Sequence, residues 1–151
     1  MPFSNSTLIL VLYICTLVNM EITIDTSAVL AVCLNEQSRD EMIRVTGGAT
    51  LVCPASVHWE IGNALSAMLR RNRITLKDAK ACIAAYEKIP IRRLEVDLVQ
   101  SLAYCDQFGM YAYDSYLIVC ALQRGTPLLS LDAGLNNIAR SLSIETLGEN
   151  Q

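Results

Sequence analysis

Four acidic residues stand out because each interrupts an apolar segment of the kind that forms a buried element. Asp25 directly follows the run Ile22-Thr23-Ile24, and Asp132 follows the run "LLSL" in the same way. Glu60 and Asp114 lie instead within segments that have helical periodicity. A carboxylate carried to the edge of a core costs free energy unless a partner compensates for its burial. These four positions are therefore the first candidates for chemistry.

The spacing within the two helical segments indicates where the helical acids point. In "YDSYLIVCAL", Leu117 and Ile118 lie three and four residues after Asp114, so they share a helix face with it. Glu60 borders the apolar face that includes Ile61. Both acids fall near the beginning of their helices, where the helix dipole favours negative charge. Each can therefore reach the core-facing side of its helix.

Strand-like and helix-like segments alternate along the chain from Met20 onwards. The predicted strands are residues 22–24, 50–54, 91–96, 127–131 and 144–147, and the predicted helices are 27–33, 38–45, 56–71, 75–88, 97–108, 113–124 and 133–141. This alternation predicts an α/β fold in which helices cover both faces of a central, mostly parallel sheet. Because parallel strands end at the same rim, Asp25 and Asp132 are expected at the rim where ligands bind.

If the four acids converge, another interaction must offset their mutual repulsion. At ~5 Å and an effective dielectric of ~20, each pair costs roughly 3 kcal/mol. A helix dipole returns only about 0.3–1 kcal/mol. Either some of the acids are protonated or a divalent cation lies among them. An all-oxygen site favours Mg²⁺, with Mn²⁺ as the alternative, over zinc, because the chain has one His and no C-x-x-C pair. Taken singly, Asp25 or Asp132 could equally be a helix cap.

The composition indicates a single globular domain in a reducing compartment. The chain has 151 residues, of which 52% are apolar, and its six cysteines lie mostly inside apolar runs. We expect buried, reduced thiols and a cytoplasmic protein. The net charge of −3 weighs against a nucleic-acid partner at first sight. Setting the four acids aside, however, leaves 11 acidic against 12 basic residues, which is close to neutral.

The first nineteen residues differ from the rest of the chain. The apolar run Leu8–Cys15 is too short for a membrane-spanning helix, and the first basic residue is Arg39, so a basic signal-peptide start is missing. We expect residues 1–19 to be an apolar extension, arising from an over-extended gene start or a dispensable arm, with a membrane or export signal as the alternative. The domain is expected over residues 20–151, without stable membrane association.

Four segments, "IDTSAVLA", "EIGNAL", "YDSYLIVCAL" and "SLDAGL", together resemble the ordered acidic motifs of PIN-domain ribonucleases, particularly the VapC-type toxins of toxin–antitoxin pairs. The resemblance covers Met20 to about Leu147 and implies a PIN-like three-layer α/β/α fold. It implies that the catalytic, metal-binding carboxylates are Asp25, Glu60, Asp114 and Asp132. It gives supporting or substrate-positioning roles to Thr26, Ser27, Asn63 and Ser130. The family often has Thr at the position of Ser130. Serine also has a hydroxyl, so this group is retained.

The same resemblance implies an activity and partners. The reaction would be metal-dependent endonucleolytic cleavage of RNA that leaves a 5′-phosphate and a 3′-hydroxyl. The partners would be a second copy of the chain in a homodimer and a cognate antitoxin whose C-terminal segment lies over the active-site groove. The alternatives are a PIN-type nuclease of RNA processing without an antitoxin, and a non-catalytic interaction protein on the same scaffold. The sequence does not indicate which RNA is cleaved.

Two further groups of residues have both a functional and a purely structural interpretation. Five arginines could contact RNA or a partner protein, or could be ordinary solvated residues: Arg70, Arg71, Arg73, Arg92 and Arg93. His58 and Trp59 precede Glu60, and we expect a partly buried aromatic pair that anchors the helix. Stacking on a base or an acid–base role is the alternative for this pair.

Overall fold

The computed structural model describes residues 20–148 and has a five-stranded sheet of order β3-β2-β1-β4-β5, in which every pair is parallel. The strands are β1 (Glu21–Ile24), β2 (Thr50–Pro54), β3 (Ile91–Leu94), β4 (Leu128–Leu129) and β5 (Thr146–Leu147). The helices are α1 (Thr26–Cys33), α2 (Arg39–Thr46), α3 (Val57–Arg70), α4 (Leu76–Tyr86), α5 (Leu98–Phe108), α6 (Ala112–Arg124) and α7 (Ala133–Ser141). The predicted α/β class and parallel sheet are confirmed.

Strand β1 lies at the centre of the sheet because its residues after Glu21 are uncharged on both faces. Ile22, Thr23 and Ile24 are all buried, which is typical of a parallel strand covered by helices on two sides. Thr23 pairs with Val52 of β2 and with Leu128 of β4. The carboxyl end of β1 therefore lies at the middle of the sheet's rim, between the carboxyl ends of β2 and β4.

Successive side chains of β1 point to opposite faces of the sheet and contact different helical layers. The Thr23 hydroxyl lies 3.9 Å from Cys120 Sγ of α6 and 2.7 Å from the Thr126 hydroxyl. Ile24 projects to the opposite face, where it lines a small apolar cavity with residues of α1 and α2, among them Val29 and Met42. Helix α1 also packs against α3 and α4 on that side. The sheet is thus the middle layer of three.

Several helix ends follow the predicted local signals. Thr75 and Asp78 form the capping box expected before α4, in which each side chain bonds the other residue's backbone N–H. Gly109 and Gly125 adopt positive φ angles of 62° and 64° where α5 and α6 end. Helix α7 has the predicted bounds, because Asp132 caps its first turn.

Three strands are shorter than predicted, and the last of them, β5, begins at Thr146, two residues after its predicted start. Strand β4 contains only Leu128 and Leu129, whereas the apolar run suggested residues 127–131. The chain leaves the ladder at Ser130, since the hydroxyls of Ser27 and Ser130 accept the next two backbone N–H groups, those of Leu131 and Asp132. Strand β3 ends at Leu94, two residues before the predicted end.

The cysteines of residues 20–148 are free thiols, as expected. Burial raises the pKa of Cys53 to about 12 and that of Cys82 to about 11, so both side chains are neutral hydrophobes at neutral pH. Within the same residues, no helix is long and apolar enough to cross a bilayer. Cys15 and the predicted extension 1–19 lie outside the described residues.

Candidate active site

Asp25 is the most buried of the four acids, with 8% of its surface exposed, and it lies directly after β1. Its Oδ2 accepts hydrogen bonds from two hydroxyls, Ser27 Oγ at 2.6 Å and Ser130 Oγ at 2.7 Å. Its backbone N–H donates to the carbonyl of Leu129 at the end of β4. Hydrogen bonds to a charged group are worth about 1.5–3 kcal/mol each, which offsets part of the cost of burial. The two serines therefore hold the carboxylate in one orientation.

The loop after β4 is built from interlocking hydrogen bonds. Ser27 Oγ accepts the N–H of Leu131 at 3.0 Å, and Ser130 Oγ accepts the N–H of Asp132 at 3.0 Å. Asp132 Oδ1 in turn accepts the N–H of Leu135 at 2.8 Å, as the N-cap of α7. Asp132 therefore combines a helix cap with a negative charge near Asp114. The cap is confirmed, and the metal-binding role of Asp132 stays a prediction.

Glu60 lies in the first turn of α3, and its carboxylate accepts hydrogen bonds from two hydroxyls. Ser56 Oγ donates to Oε1 at 2.8 Å, and Thr26 Oγ1 donates to Oε2 at 3.4 Å. Burial raises the pKa of Glu60, and the negative charges of Asp25 and Asp114 raise it further, against the lowering effect of the two hydroxyls. The Glu60 carboxylate is therefore close enough to the other acids to be affected by their charge.

Asp114 lies in the first turn of α6 and is partly buried. Burial raises its pKa, and the charges of Asp132 and Asp25 raise it further. In residues 20–148 the Asp114 carboxylate accepts no hydrogen bond, whereas each of the other three carboxylates accepts at least one. Asp114 thus presents a free carboxylate to the rim.

The mutual effects on pKa place all four carboxylates in one neighbourhood. Asp25 influences both helical acids, and Asp132 influences Asp114. Even so, no three Asp, Glu, His or Cys side chains of residues 20–148 are near enough to one another to bind a single metal ion as they stand. The donor chemistry nevertheless fits a hard divalent cation, since it consists of repelling carboxylates, one of them without a hydrogen-bond donor. A cation would draw these side chains together.

The other predicted site residues divide into two groups. Thr26, Ser27 and Ser130 contact the acids through their hydroxyls. Asn63 is exposed on α3, one turn after Glu60, and its side chain contacts none of the acids in the described part of the chain.

The five arginines lie away from the four carboxylates. Arg92 donates to Glu21 at 3.1 Å on the surface of the sheet. Arg93 lies over the ring of Tyr86, with 5.9 Å between its guanidinium carbon and the ring centre. The remaining three are exposed at or just beyond the C-terminal end of α3: Arg70, Arg71 and Arg73.

Two residues of the site were missed in the sequence. Ser56 donates to Glu60, and its position four residues earlier is the spacing at which helix neighbours meet. Asn136 is buried and donates from Nδ2 to the carbonyl of Ser130 at 3.0 Å, which fixes the loop that holds Asp25. Its Oδ1 has no hydrogen-bond partner within residues 20–148. The first Asn of "GLNNIA", four residues after Asp132, was the available signal.

The expected burial of the His58–Trp59 pair is wrong for one member. His58 is partly buried, and its Nδ1 lies 3.3 Å from the hydroxyl of Tyr86 on α4. Trp59, by contrast, is 73% exposed and touches His58 edge-on, with 4.9 Å between ring centres. The buried face of α3 is formed by Val57 and Ile61, and Trp59 lies on the opposite side of the helix, which faces solvent.

Fold and site together define an α/β protein with an acidic rim at the carboxyl ends of parallel strands. The family model for the PIN domain matches residues 22–141, which include all four acids. The chain belongs to the PIN-domain family. The comparison with curated proteins finds no match to the sequence.

Solved structures share this fold at low sequence identity. The PAE2754 protein of Pyrobaculum aerophilum is 23% identical with a TM-score of 0.62, over 84% of this chain and 90% of its own. Mycobacterium tuberculosis VapC20, described as a toxin that cleaves the sarcin-ricin loop, is 13% identical with a TM-score of 0.57, over 78% and 94%. VapBC2 of Rickettsia felis, solved with a promoter DNA fragment, is 9% identical with a TM-score of 0.60, over 84% and 97%. The chain is therefore similar in fold to VapC toxins.

Proposed function

We propose that this PIN-domain protein is a metal-dependent endoribonuclease and acts as the toxin of a toxin–antitoxin pair. The observation that carries the proposal is the group of four carboxylates at the sheet rim, whose charges raise the pKa values of Glu60 and Asp114. Such a group is poorly suited to a metal-free binding surface, because its members repel one another. Structural likeness to VapC20, a toxin that cleaves RNA of the sarcin-ricin loop, supports RNA as the substrate.

Each carboxylate has a proposed role. Asp25 and Asp114 would be the innermost ligands of Mg²⁺ or Mn²⁺, because one is fixed by two serines and the other is free of hydrogen bonds. Glu60 and Asp132 would bind a second ion or act through water. A bound divalent cation supplies an activated water and stabilises the charge on the leaving oxygen. The protein itself positions the acids, and Ser27 and Ser130 orient the Asp25 carboxylate by donating hydrogen bonds to it.

The proposed partners follow from the same comparison. The VapBC2 structure pairs a VapC with a second protein on promoter DNA, and we propose a corresponding antitoxin for this chain. We also propose a homodimer, for which the exposed apolar residues of α5 offer a surface: Leu98, Val99 and Leu102. A small gene for a DNA-binding protein next to the gene for this chain would support the toxin role. A solitary gene would favour a role in RNA processing.

The activity is tested with the purified full-length chain. Total RNA is incubated with the protein in Mg²⁺, in Mn²⁺ or in EDTA, and the 5′ ends of the products are sequenced. We expect discrete cleavage with 5′-phosphates in either metal and none in EDTA. The matched variants are Asp114→Asn, which should be inactive, and Asp106→Asn, an exposed acid of α5 that should cleave normally. Cleavage that persists in EDTA, or that is absent in both metals, would refute the proposal.

A further inference from the structure

We propose that the exposed face of α3 binds single-stranded RNA, with Trp59 stacking on a nucleobase beside the acidic site. Further along the helix, arginines would hold the phosphates of the same strand. We call this surface the α3 track and define it as Trp59, Asn63, Ser66, Arg70 and Arg71. The inference rests on the proposed function and adds to it the residues that position the substrate.

Trp59 is exposed in a way that folding alone does not require. It is the only Trp of the chain, and 73% of its surface is open to solvent. His58 contacts the indole edge-on and is itself anchored to Tyr86, whose side chain is buried. The indole therefore lies on a fixed support, with most of its surface free. A held, open aromatic ring is the platform on which bases stack in proteins that bind single strands.

The space between Trp59 and the acids is open and polar. Asn63 lies three residues after Glu60 and four after Trp59, so its side chain stands between them on the helix surface. A nucleotide at the acidic site can therefore continue onto the indole without passing over a bulky side chain.

The track continues along α3 towards positive charge. Trp59, Asn63, Ser66 and Arg70 follow one another at intervals of four, three and four residues, which places them in one line along the helix. All four are exposed. At 1.5 Å per residue this line is roughly 16 Å long. Arg71 and Arg73 lie directly beyond it.

The charges of the track suit a phosphate backbone. Glu60, at the active-site end, is the only acid of α3. In the described residues, the three arginines at the far end of the helix are paired with no carboxylate. Unpaired arginines on a surface without acids attract phosphates and give binding that weakens with salt.

The same residues are less suited to a protein partner. Between Trp59 and Arg70 the exposed positions are Gly62, Asn63 and Ser66, which offer small or polar groups and no apolar groove. A peptide that packs on a helix needs apolar side chains at helical spacing. A single strand needs one stacking surface and cations, and the track supplies both.

Trp59 fluorescence tests the inference directly, because no other Trp contributes to the emission. The full-length Asp114→Asn protein is titrated in Mg²⁺ with a single-stranded oligoribonucleotide of mixed sequence, so that binding is observed without cleavage. We expect the emission to be quenched as RNA binds, and to be quenched much less by a duplex of the same sequence. Unchanged emission at an RNA concentration that saturates binding would overturn the inference.

Variants in the same background identify the contacts by anisotropy of a labelled oligonucleotide. Trp59→Leu should weaken binding by about 5-fold to 100-fold, and Trp59→Phe should weaken it less, because a ring remains. Arg70→Ser should lower the slope of log affinity against log salt by about 1, whereas Arg44→Ser, an exposed arginine on α2, should leave it unchanged. Equal binding by Trp59→Leu and its parent would overturn the stacking role.

The two proposals fail in different ways. If the wild-type chain never cleaves RNA but the oligonucleotide quenches Trp59, the proposed activity is wrong and the α3 track stands. If the wild type cleaves RNA while Trp59→Leu, made in the wild-type chain, binds and cuts RNA like the wild type, the activity stands and the track is wrong. If Trp59→Leu weakens only the association with a partner protein, the assignment of the track to RNA is overturned.

Discussion

The two properties of Asp132, its cap and its charge, can be separated by two substitutions. Asp132→Ala removes both, because alanine cannot accept the N–H of Leu135. Asp132→Asn removes only the charge, since asparagine caps a helix as well as aspartate does. If the side chain serves stability through the cap and function through the charge, the two variants should differ in stability and agree in activity.

The magnitude follows from the environment of the side chain. Loss of an N-cap costs typically about 1 kcal/mol, which for a domain of this size lowers the midpoint of thermal unfolding by roughly 3 to 5 °C. In Asp132→Asn the cap stays, and the charge that is lost has two opposing effects. It interacts with the dipole of α7, worth about 0.3–1 kcal/mol, and it repels Asp114, whose pKa it raises. We expect the free energy of unfolding of Asp132→Asn to lie within about 0.5 kcal/mol of the wild-type value.

The assay combines urea unfolding in EDTA with cleavage of total RNA in Mg²⁺. Thr75→Ala is the matched control, because Thr75 caps α4 with a comparable hydrogen bond away from the acids. It should lose about 1 kcal/mol of stability and cleave normally. Both Asp132 variants should lose most of their activity. Equal destabilisation by Asp132→Asn and Asp132→Ala would refute the separation of roles, as would full activity of the asparagine variant.

Three further predictions concern the rest of the site and the amino terminus. Asp114→Asn should abolish cleavage without lowering the urea midpoint in EDTA, because it removes a charge that Asp25 and Asp132 repel; a clear loss of stability would contradict this. Ser130→Ala removes a hydrogen bond to the buried Asp25 and should cost about 1.5–3 kcal/mol and most of the activity. Ser130→Thr should retain both the stability and the activity, because threonine also has a hydroxyl. Equal loss of stability and activity in the two variants would show that the hydroxyl of residue 130 is not responsible. Deletion of residues 1–19 should leave thermal unfolding and cleavage unchanged, and insoluble protein after the deletion would show that the segment is needed.

The sequence predicted the elements whose local and global signals agree. Strand β1 is a short buried run followed at once by an acid, and α4 begins at a capping box that is visible in the sequence. Helix α7 was bounded correctly because Asp132 is both the end of an apolar run and a good cap. In each case the residue types alone satisfy the backbone groups at the end of the element.

Other features depend on contacts that the sequence does not display. The length of β4 is set by side-chain hydrogen bonds of Ser130, which compete with the ladder. The exposure of Trp59 follows from how fully its neighbours fill the core, so an aromatic residue next to a site motif gave the wrong expectation. Asn136 reaches Ser130 only because α7 folds back over the loop. Tertiary contacts of this kind decide where a polar group finds its partner.

The cation site is the central claim, and binding of Mn²⁺ measures it most directly. Electron paramagnetic resonance of free Mn²⁺ is followed while the full-length protein is added, in the wild type and in the variants Asp25→Asn, Asp114→Asn and Asp106→Asn. We expect the wild type and Asp106→Asn to bind Mn²⁺ with the same stoichiometry, with Mg²⁺ competing for the site. Asp25→Asn and Asp114→Asn should bind far more weakly. Absence of binding to the wild type, or equal binding by all four proteins, would contradict the assignment of the acidic rim as a metal site.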